Sequence, residues 1–197
     1  MLVVNSSFGV NNLSEFATKA KGLPEGVTWG SPGLGSQSYL SAELLFGEMK
    51  LKNTHIPYEG GARALSDLLG GQINAAVLNL TSAVPHIKAG TIKALGITAD
   101  KRLPAFPEIP TFVEEGFPQV DTGSWYGLVG PRGMPRPLVD TINTEVRKVL
   151  ALEEMRKQLA LQFIEPQDWD VDTFDTFFKG QFDRWGPVVK ATGAAKQ

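Results

Sequence analysis

Apolar positions in the first half of the chain alternate between two spacings. Short runs of apolar or β-branched residues, typical of buried strands, alternate with stretches whose apolar residues recur at helical spacing. The runs predicted as strands are 2–4, 27–29, 54–57, 74–78 and 92–98. A first helix is predicted to begin at the capping pattern Asn12-Leu13-Ser14-Glu15, and further helices are predicted at 36–49, 62–69 and 82–89. This alternation predicts an α/β fold with a parallel sheet covered by helices on both faces.

The second half of the chain has a different pattern. Three prolines within 103–111 exclude a regular element there, and a short helix at 112–115 and a strand at 124–129 are predicted to follow. The remainder is predicted to be helical, with Asp172 as the cap of its last helix. The apolar faces of these helices comprise Leu138, Val139, Ile142, Val146 and Val149, then Met155 and Leu159, then Phe174, Phe177, Phe178 and Trp185. So much apolar surface requires a partner surface, which predicts a second domain.

Composition narrows the classes of function. The 197 residues are 42% hydrophobic and 20% charged, as in an ordinary globular protein. A net charge of −2 with scattered basic residues argues against a nucleic-acid partner, because phosphate binding needs a concentrated basic face. With no cysteine, and with His55 and His86 as the two histidines, we predict no cofactor and no metal site. Residues 1–4 do not resemble a signal peptide.

In the first half of the chain, three turns follow predicted strands, at 30–36, 58–61 and 79–82. Ligands of open parallel sheets bind beyond the carboxyl ends of the strands. Each turn is small or polar where a helix begins, so free backbone N–H groups and the helix dipole would favour an anion there. Taken alone, each turn also fits an ordinary connection. The stretch Gly33-Leu34-Gly35 lacks the third glycine of a dinucleotide-binding fingerprint.

Several longer stretches occur in a characteristic order. They are Leu2-Val3-Val4-Asn5, Ser31-Pro32-Gly33-Leu34-Gly35-Ser36, Ile56-Pro57-Tyr58-Glu59-Gly60-Gly61, Asp67-Leu68-Leu69-Gly70-Gly71-Gln72-Ile73, Pro85-His86-Ile87-Lys88-Ala89-Gly90, Ile109-Pro110-Thr111 with Glu115-Gly116, Trp125-Tyr126-Gly127-Leu128 and Trp185-Gly186-Pro187-Val188-Val189-Lys190. In this order they resemble the substrate-binding proteins of the tripartite tricarboxylate transporter family, the Bug or TctC-like receptors. The resemblance covers nearly the whole chain.

The resemblance implies a periplasmic receptor, not an enzyme, whose two α/β lobes close on a small carboxylate such as a dicarboxylate or an aromatic acid. The receptor would deliver this ligand to the membrane subunits of a transporter. Leu78 stands where relatives often carry an acidic residue, so an amino group on the ligand would have less support. The residues that match the family's ligand-binding loops are Ser31, Gly33, Gly35, Ser36, Gln37, Tyr58, Gly60, Gly61, Ala62, Asn79 and Thr81.

The resemblance also implies a division of the chain. Residues 5–124 would form one complete periplasmic-binding-protein-like lobe. Residues 1–4 and 125–197 would be the crossover strands and C-terminal helices of a second, incomplete lobe that lacks its N-terminal part. The exposed apolar surface of such a lobe predicts association into a homo-oligomer.

Two alternatives remain open on sequence grounds. One is an interaction or sensing module of the same fold that does not take part in transport. The other is an α/β enzyme, in which Ser31 or Ser36 would need a histidine within reach. The chain has no Gly-x-Ser-x-Gly nucleophile elbow, and His55 is predicted to lie within a strand.

Overall fold

The computed structural model describes residues 1–120 and 122–193. Residue 121, within the predicted lobe 5–124, and residues 194–197, within the predicted segment 125–197, lie outside the described residues. Two compact units are present, Met1–Ser124 with Val189–Gln197 and Trp125–Val188.

The first unit is built on a five-stranded sheet in the order β3-β2-β4-β1-β5. The strands are β1 Leu2–Asn5, β2 Val27–Ser31, β3 Asn53–Pro57, β4 Ala75–Val77 and β5 Ile92–Gly96. The helices are α1 Leu13–Lys21, α2 Gln37–Glu48, α3 Gly61–Leu69 and α4 Leu80–Lys88, with 3₁₀ turns at Ser6–Phe8 and Pro118–Val120. A central sheet flanked by helices confirms the predicted α/β class.

The direction of β1 differs from the predicted parallel arrangement. Strand β2 is parallel to β3 and β4, but β1 is antiparallel to both of its neighbours, β4 and β5. The sheet is therefore mixed. A buried apolar run such as 2–4 shows that a strand is central, but its pattern of side chains does not encode the direction in which it runs.

Aromatic rings form the centre of the core of the first unit. The Trp29 side chain is fully buried on β2, and its ring centroid lies 5.3 Å from that of Phe46 on α2. Phe46 in turn lies 6.1 Å from Phe16 on α1. The indole N–H of Trp29 donates a hydrogen bond to Asn53 Oδ1 over 2.8 Å. The core thus links β2, β3 and two helices through one connected set of rings.

The helix of the predicted capping pattern begins where expected. Asn12 Oδ1 accepts a hydrogen bond from the N–H of Glu15 over 2.8 Å, and the Glu15 carboxylate accepts one from the N–H of Asn11 over 2.7 Å. These bonds satisfy donors that a helix start otherwise leaves unpaired. The other helices of this unit start and end within two residues of their predicted bounds.

The second unit consists mainly of helices. They are α5 Arg136–Ala151, α6 Glu153–Leu161 and α7 Val171–Thr192, of which α7 ends within the first unit. Rings of Phe174, Phe177 and Phe178 surround Trp125 at centroid distances of 6.0, 5.4 and 5.9 Å. No residue of α5, α6 or α7 that the structure describes is buried. Within the described ranges, no helix is both long and apolar enough to cross a bilayer.

Three local predictions for the second half are wrong. Residues 112–116 form hydrogen-bonded turns rather than a helix, and 124–129 forms no strand. A strand needs a neighbour for its backbone groups, and in the described residues none pairs with this segment. The cap of α7 is Asp170, whose carboxylate accepts the N–H of Thr173 over 2.8 Å, while Asp172 instead pairs with Arg136 over 2.8 Å.

Candidate functional site

Three loops meet at one edge of the sheet in the first unit. We call residues 30–36 loop one, 58–61 loop two and 79–82 loop three. Loop one includes the last two residues of β2, and loops two and three follow β3 and β4 and include the first residues of α3 and α4. Because these strands are parallel, their carboxyl ends lie at the same edge. The N–H of Tyr58 donates to the carbonyl of Ser31 over 3.2 Å, which joins loops one and two. The predicted meeting of the three turns is observed.

Loop one is a glycine-rich turn that ends in a helix cap. Ser36 Oγ donates to the Gly33 carbonyl over 2.7 Å and accepts the N–H of Tyr39, in the first turn of α2, over 3.2 Å. Gly33 and Gly35 have φ of 138° and 71°, a region that favours glycine. Between them Leu34 is 42% exposed at the tip of the loop. The loop is therefore held at its base and open at its tip.

The side chain of Ser31 is directed into the protein. It is fully buried, and its Oγ lies 2.8 Å from His55 Nε2 and 3.2 Å from the Gly33 carbonyl. The ring of His55 packs against those of Trp29 and Tyr39, at centroid distances of 4.4 and 4.7 Å. Burial of the imidazole lowers the pKa of His55 to about 4, so that it is neutral at neutral pH.

The reasoning from sequence missed His55 as a partner of Ser31. The signal is the pairing of β2 with β3, in which Trp29 lies opposite His55. Residues two apart on a strand share a face, so Ser31 and His55 lie on the same side of the sheet. This pairing follows from strand order, which the hydrophobic pattern does not reveal.

The hydroxyl of Tyr58 in loop two is also hydrogen-bonded within the protein. Its hydroxyl donates to the Asp67 carboxylate on α3 over 2.7 Å. Burial, followed by the hydrogen bond to Asp67 and the charge of that residue, raises the pKa of Tyr58 to about 12. The ring covers Gly30 so closely that a Cβ there would lie 2.7 Å from Tyr58 Cε2. Tyr58 thus braces the loops through its ring and backbone.

The helices that begin at loops two and three lack a side-chain cap. Gly60, with φ of 111°, precedes α3, and Asn79 precedes α4; neither helix start has a side-chain hydrogen bond. By contrast, Asn12 and Ser36 cap the starts of α1 and α2. The first N–H groups of α3 and α4 therefore have no side-chain acceptor among the described residues, and the exposed residues Ala62 and Thr81 lie in these first turns.

Loops two and three are in contact. A Cβ built on Gly61 would lie 3.5 Å from Ser82 Oγ and 3.6 Å from Leu78 Cδ2. Leu78 is buried, so the side chain that precedes loop three is apolar. The two uncapped helix starts are therefore neighbours.

Gln37, the first residue of α2, does not present its amide freely. The amide nitrogen donates to the carbonyl of Thr122. Thr122 Oγ1 also lies 2.6 Å from Ser41 Oγ, one turn further along α2. Gln37 thus joins the start of α2 to the segment that follows the last 3₁₀ turn.

The hydrogen-bond donors at this edge of the sheet are uncharged groups. Backbone N–H groups of loops one to three and hydroxyls such as that of Thr81 are suited to an anion of modest size. In the described ranges, no cluster of three or more His, Cys, Asp or Glu could hold a metal ion. The pair of Ser31 and His55 resembles a nucleophile and its base. However, Ser31 is buried and a histidine with a pKa of about 4 is a weak base at neutral pH.

A helix-flanked α/β sheet with N–H groups of several loops at one edge is an arrangement that binds small ligands. Residues 1–194 match the family described as tripartite tricarboxylate transporter family receptor, and the chain belongs to this family. Its members are solute-binding proteins and not enzymes, which removes the enzyme alternative. The resemblance found in the sequence is confirmed.

Individual relatives agree with this assignment. The protein BugT of Bordetella pertussis is 29% identical over 194 residues, which are 98% of this chain and 60% of BugT. A second relative, from Pseudomonas sp. strain P51, is 29% identical over 96% of this chain and 56% of its own length. The chain thus spans about three fifths of the length of these curated relatives.

Solved structures extend the comparison. R. palustris Rpa4515 with adipate superimposes with a TM-score of 0.85 at 30% identity, over 98% of this chain and 64% of that one. MatC from Rhodopseudomonas palustris with bound malate gives a TM-score of 0.81 at 32% identity, over 96% of this chain and 65% of MatC. The periplasmic binding protein BugD gives a TM-score of 0.81 at 27% identity, over 98% of this chain and 65% of BugD.

Proposed function

We propose that this chain belongs to a periplasmic receptor that binds a small carboxylate and delivers it to a tripartite tricarboxylate-type transporter. One observation carries the proposal: two neighbouring helix starts without side-chain caps lie at the same edge as a glycine-rich loop. Relatives of the same fold carry adipate and malate, which are dicarboxylates. An aromatic acid would satisfy the same donors.

The proposed ligand contacts divide into two groups. Donors to the carboxylate are the backbone N–H groups of loops one to three and the side chains of Asn79 and Thr81. Because Ser31 and Tyr58 already hydrogen-bond to His55 and Asp67, their hydroxyls hold the loops rather than the ligand. The residues proposed to line the site are Gly33, Gly35, Ser36, Gly60, Gly61, Ala62, Asn79 and Thr81, with Ser31, Gln37 and Tyr58 in support.

We extend the proposal to the division of the chain. Residues 5–124 would act as one lobe of the receptor, and residues 1–4 and 125–197 as the crossover strands and helices of the other. The observed units differ from this division at residues 1–4, which lie in the first unit, where residues 2–4 form part of β1 in its sheet. The net charge of the chain is −2 and its basic residues are dispersed, which is compatible with a small anionic ligand rather than a nucleic acid. The exposed apolar side chains of the second unit support the proposal that this chain associates with itself.

The test is a titration of isotope-labelled chain with adipate and with malate, followed by backbone amide NMR. This measurement detects weak binding, as expected if one lobe supplies part of the contacts. The amides of 33–37, 60–63 and 79–82 should shift together and saturate. The amides of the capped start of α1, 12–15, serve as the internal control and should stay constant. Absence of saturable shifts with both acids, or shifts confined to other surfaces, would overturn the proposed function.

A further inference from the structure

We infer that His55 is a positioning residue of the ligand site, which acts through Ser31 to fix the backbone of loop one. The inference rests on the proposed function, because loop one supplies N–H groups to the proposed carboxylate. Neither the sequence pattern nor the family match assigns a role to His55.

The imidazole packs against two aromatic rings. Strand pairing places His55 opposite Trp29, and its ring centroid lies 4.4 Å from that of Trp29 and 4.7 Å from that of Tyr39. The rings belong to three different elements, β2, β3 and α2. Contacts with two rings restrict the rotation of the half-buried imidazole and thereby limit where Nε2 lies relative to the sheet.

The Oγ of Ser31 links the imidazole to the backbone of loop one. It lies 2.8 Å from His55 Nε2, receives the N–H of Gly33 over 3.4 Å and lies 3.2 Å from the Gly33 carbonyl. That carbonyl also accepts the Ser36 hydroxyl over 2.7 Å. Hence His55 either donates its Nε2–H to Ser31 or accepts the hydroxyl proton of Ser31. In both cases the serine oxygen connects β3 to the peptide group of Gly33.

The environment keeps this arrangement constant near neutral pH. The imidazole is neutral there because burial lowers its pKa to about 4. The titratable group that packs on it is Tyr39, whose pKa is raised by burial and by the charge of Glu43 on the same helix. Glu43 is itself half-buried, and burial raises its pKa. The geometry, not a change of charge, therefore defines the role of His55.

Two substitutions separate the hydrogen bond from the packing. His55→Phe keeps a flat ring against Trp29 and Tyr39 but has no polar atom for Ser31. His55→Gln places an amide nitrogen near the position of Nε2 and can restore the bond. Loss of one net hydrogen bond predicts that the Phe variant binds adipate or malate about threefold to tenfold more weakly. The Gln variant should retain most of the affinity. Dissociation constants come from the amide titration above, and thermal midpoints are measured in parallel.

A spectroscopic readout reports on His55 itself. The chain has two histidines, so the ¹⁵N imidazole spectrum contains signals from His55 and His86 alone. Ser31→Ala should move the Nε2 signal of His55 and leave that of His86 unchanged. Saturation of the wild type with adipate or malate should also move the His55 signal, because the ligand orders the turn that Ser31 contacts.

The possible results are distinguishable. Wild-type affinity in the Phe variant, or an equal loss of affinity in the Phe and Gln variants that follows their thermal midpoints, would overturn the role of His55 alone. So would a His55 signal that is indifferent to Ser31→Ala and to ligand. If the wild type binds neither acid, the proposed function fails and this inference fails with it.

Discussion

Several side chains at the loop edge have their polar atoms engaged inside the protein. Ser31 contacts His55, Tyr58 contacts Asp67, and Gln37 contacts the carbonyl of Thr122. These three residues were predicted to contact the ligand, yet their hydrogen bonds connect the loops to other parts of the protein. In the proposed site, backbone N–H groups would therefore bind the ligand, and these side chains would determine where those groups point.

Burial of His55 predicts a specific dependence of stability on pH. Its pKa is about 4 in the folded protein, below the ordinary value of 6.5, so between these values the unfolded chain binds more protons. The contribution of this residue is therefore largest above pH 6.5 and is lost as the pH falls toward 4. Urea unfolding across this range should show that the stability advantage of the wild type over His55→Phe decreases as the pH falls. A constant difference between the two proteins would contradict the low pKa of His55.

Gly30 is required by the close approach of Tyr58. A Cβ at this position would lie 2.7 Å from Tyr58 Cε2 and 2.9 Å from Ile73 Cδ1. Gly30→Ala should therefore lower the free energy of unfolding by about 1 to 3 kcal/mol, as expected for overpacking. Gly47→Ala is the matched control, because nothing lies within 4 Å of its Cβ position on α2 and alanine favours a helix. Chemical denaturation of both variants tests this, and equal stability would argue against the packing of Tyr58 on Gly30.

At the scale of elements, the starts of α3 and α4 differ from those of α1 and α2. Both α1 and α2 have a side chain that accepts an N–H of the first turn, whereas α3 and α4 have none. A helix start carries partial positive charge, which favours a bound anion and disfavours a cation. The difference between capped and uncapped starts leads to a test by charge.

Asn79→Asp adds a carboxylate at the uncapped start of α4 while keeping the size of the side chain. The new charge can cap the helix and would repel a carboxylate ligand, so affinity for adipate or malate should fall about tenfold or more. Asn12→Asp makes the same change at the capped start of α1 and should leave affinity unchanged. The dissociation constants of both variants are measured by the amide titration at low and at high salt. Equal affinities for the two variants would place the ligand elsewhere.

Much of the arrangement of elements is predictable from sequence, but the contacts between them are not. The starts of α1 and α2 follow from Asn12 and Ser36, and the common edge of the three loops follows from strands joined by helices. The direction of β1 and the pair of Ser31 and His55 depend on how the strands pair, which the pattern of side chains does not contain. Segment 124–129 has the residues of a strand but no neighbouring strand within the described chain. Local pattern therefore predicts elements, and pairing decides what they become.

At the scale of the whole molecule, the two units differ in burial. The first has a core that includes fully buried Trp29, Phe16 and Phe46, whereas every residue of 125–188 retains some exposure. Large apolar side chains of the second unit are open to solvent, among them Leu128 at 70% and Leu161 at 73%. Large exposed apolar patches are unusual in a monomer, and we expect these side chains to be covered by a partner.

We therefore expect the chain to associate with itself through the second unit. Light scattering should show a mass that rises with concentration into the range of tens of micromolar, roughly where exposed apolar surface causes association. Replacement of Leu128 and Val129 by Glu adds charge to exposed apolar positions and should reduce this mass toward that of the monomer. Val113→Glu is the control, because it adds one of the two charges of the double variant, to an exposed apolar position of the first unit. A wild type that stays monomeric at these concentrations, or a control that dissociates as fully as the double variant, would contradict association through the second unit.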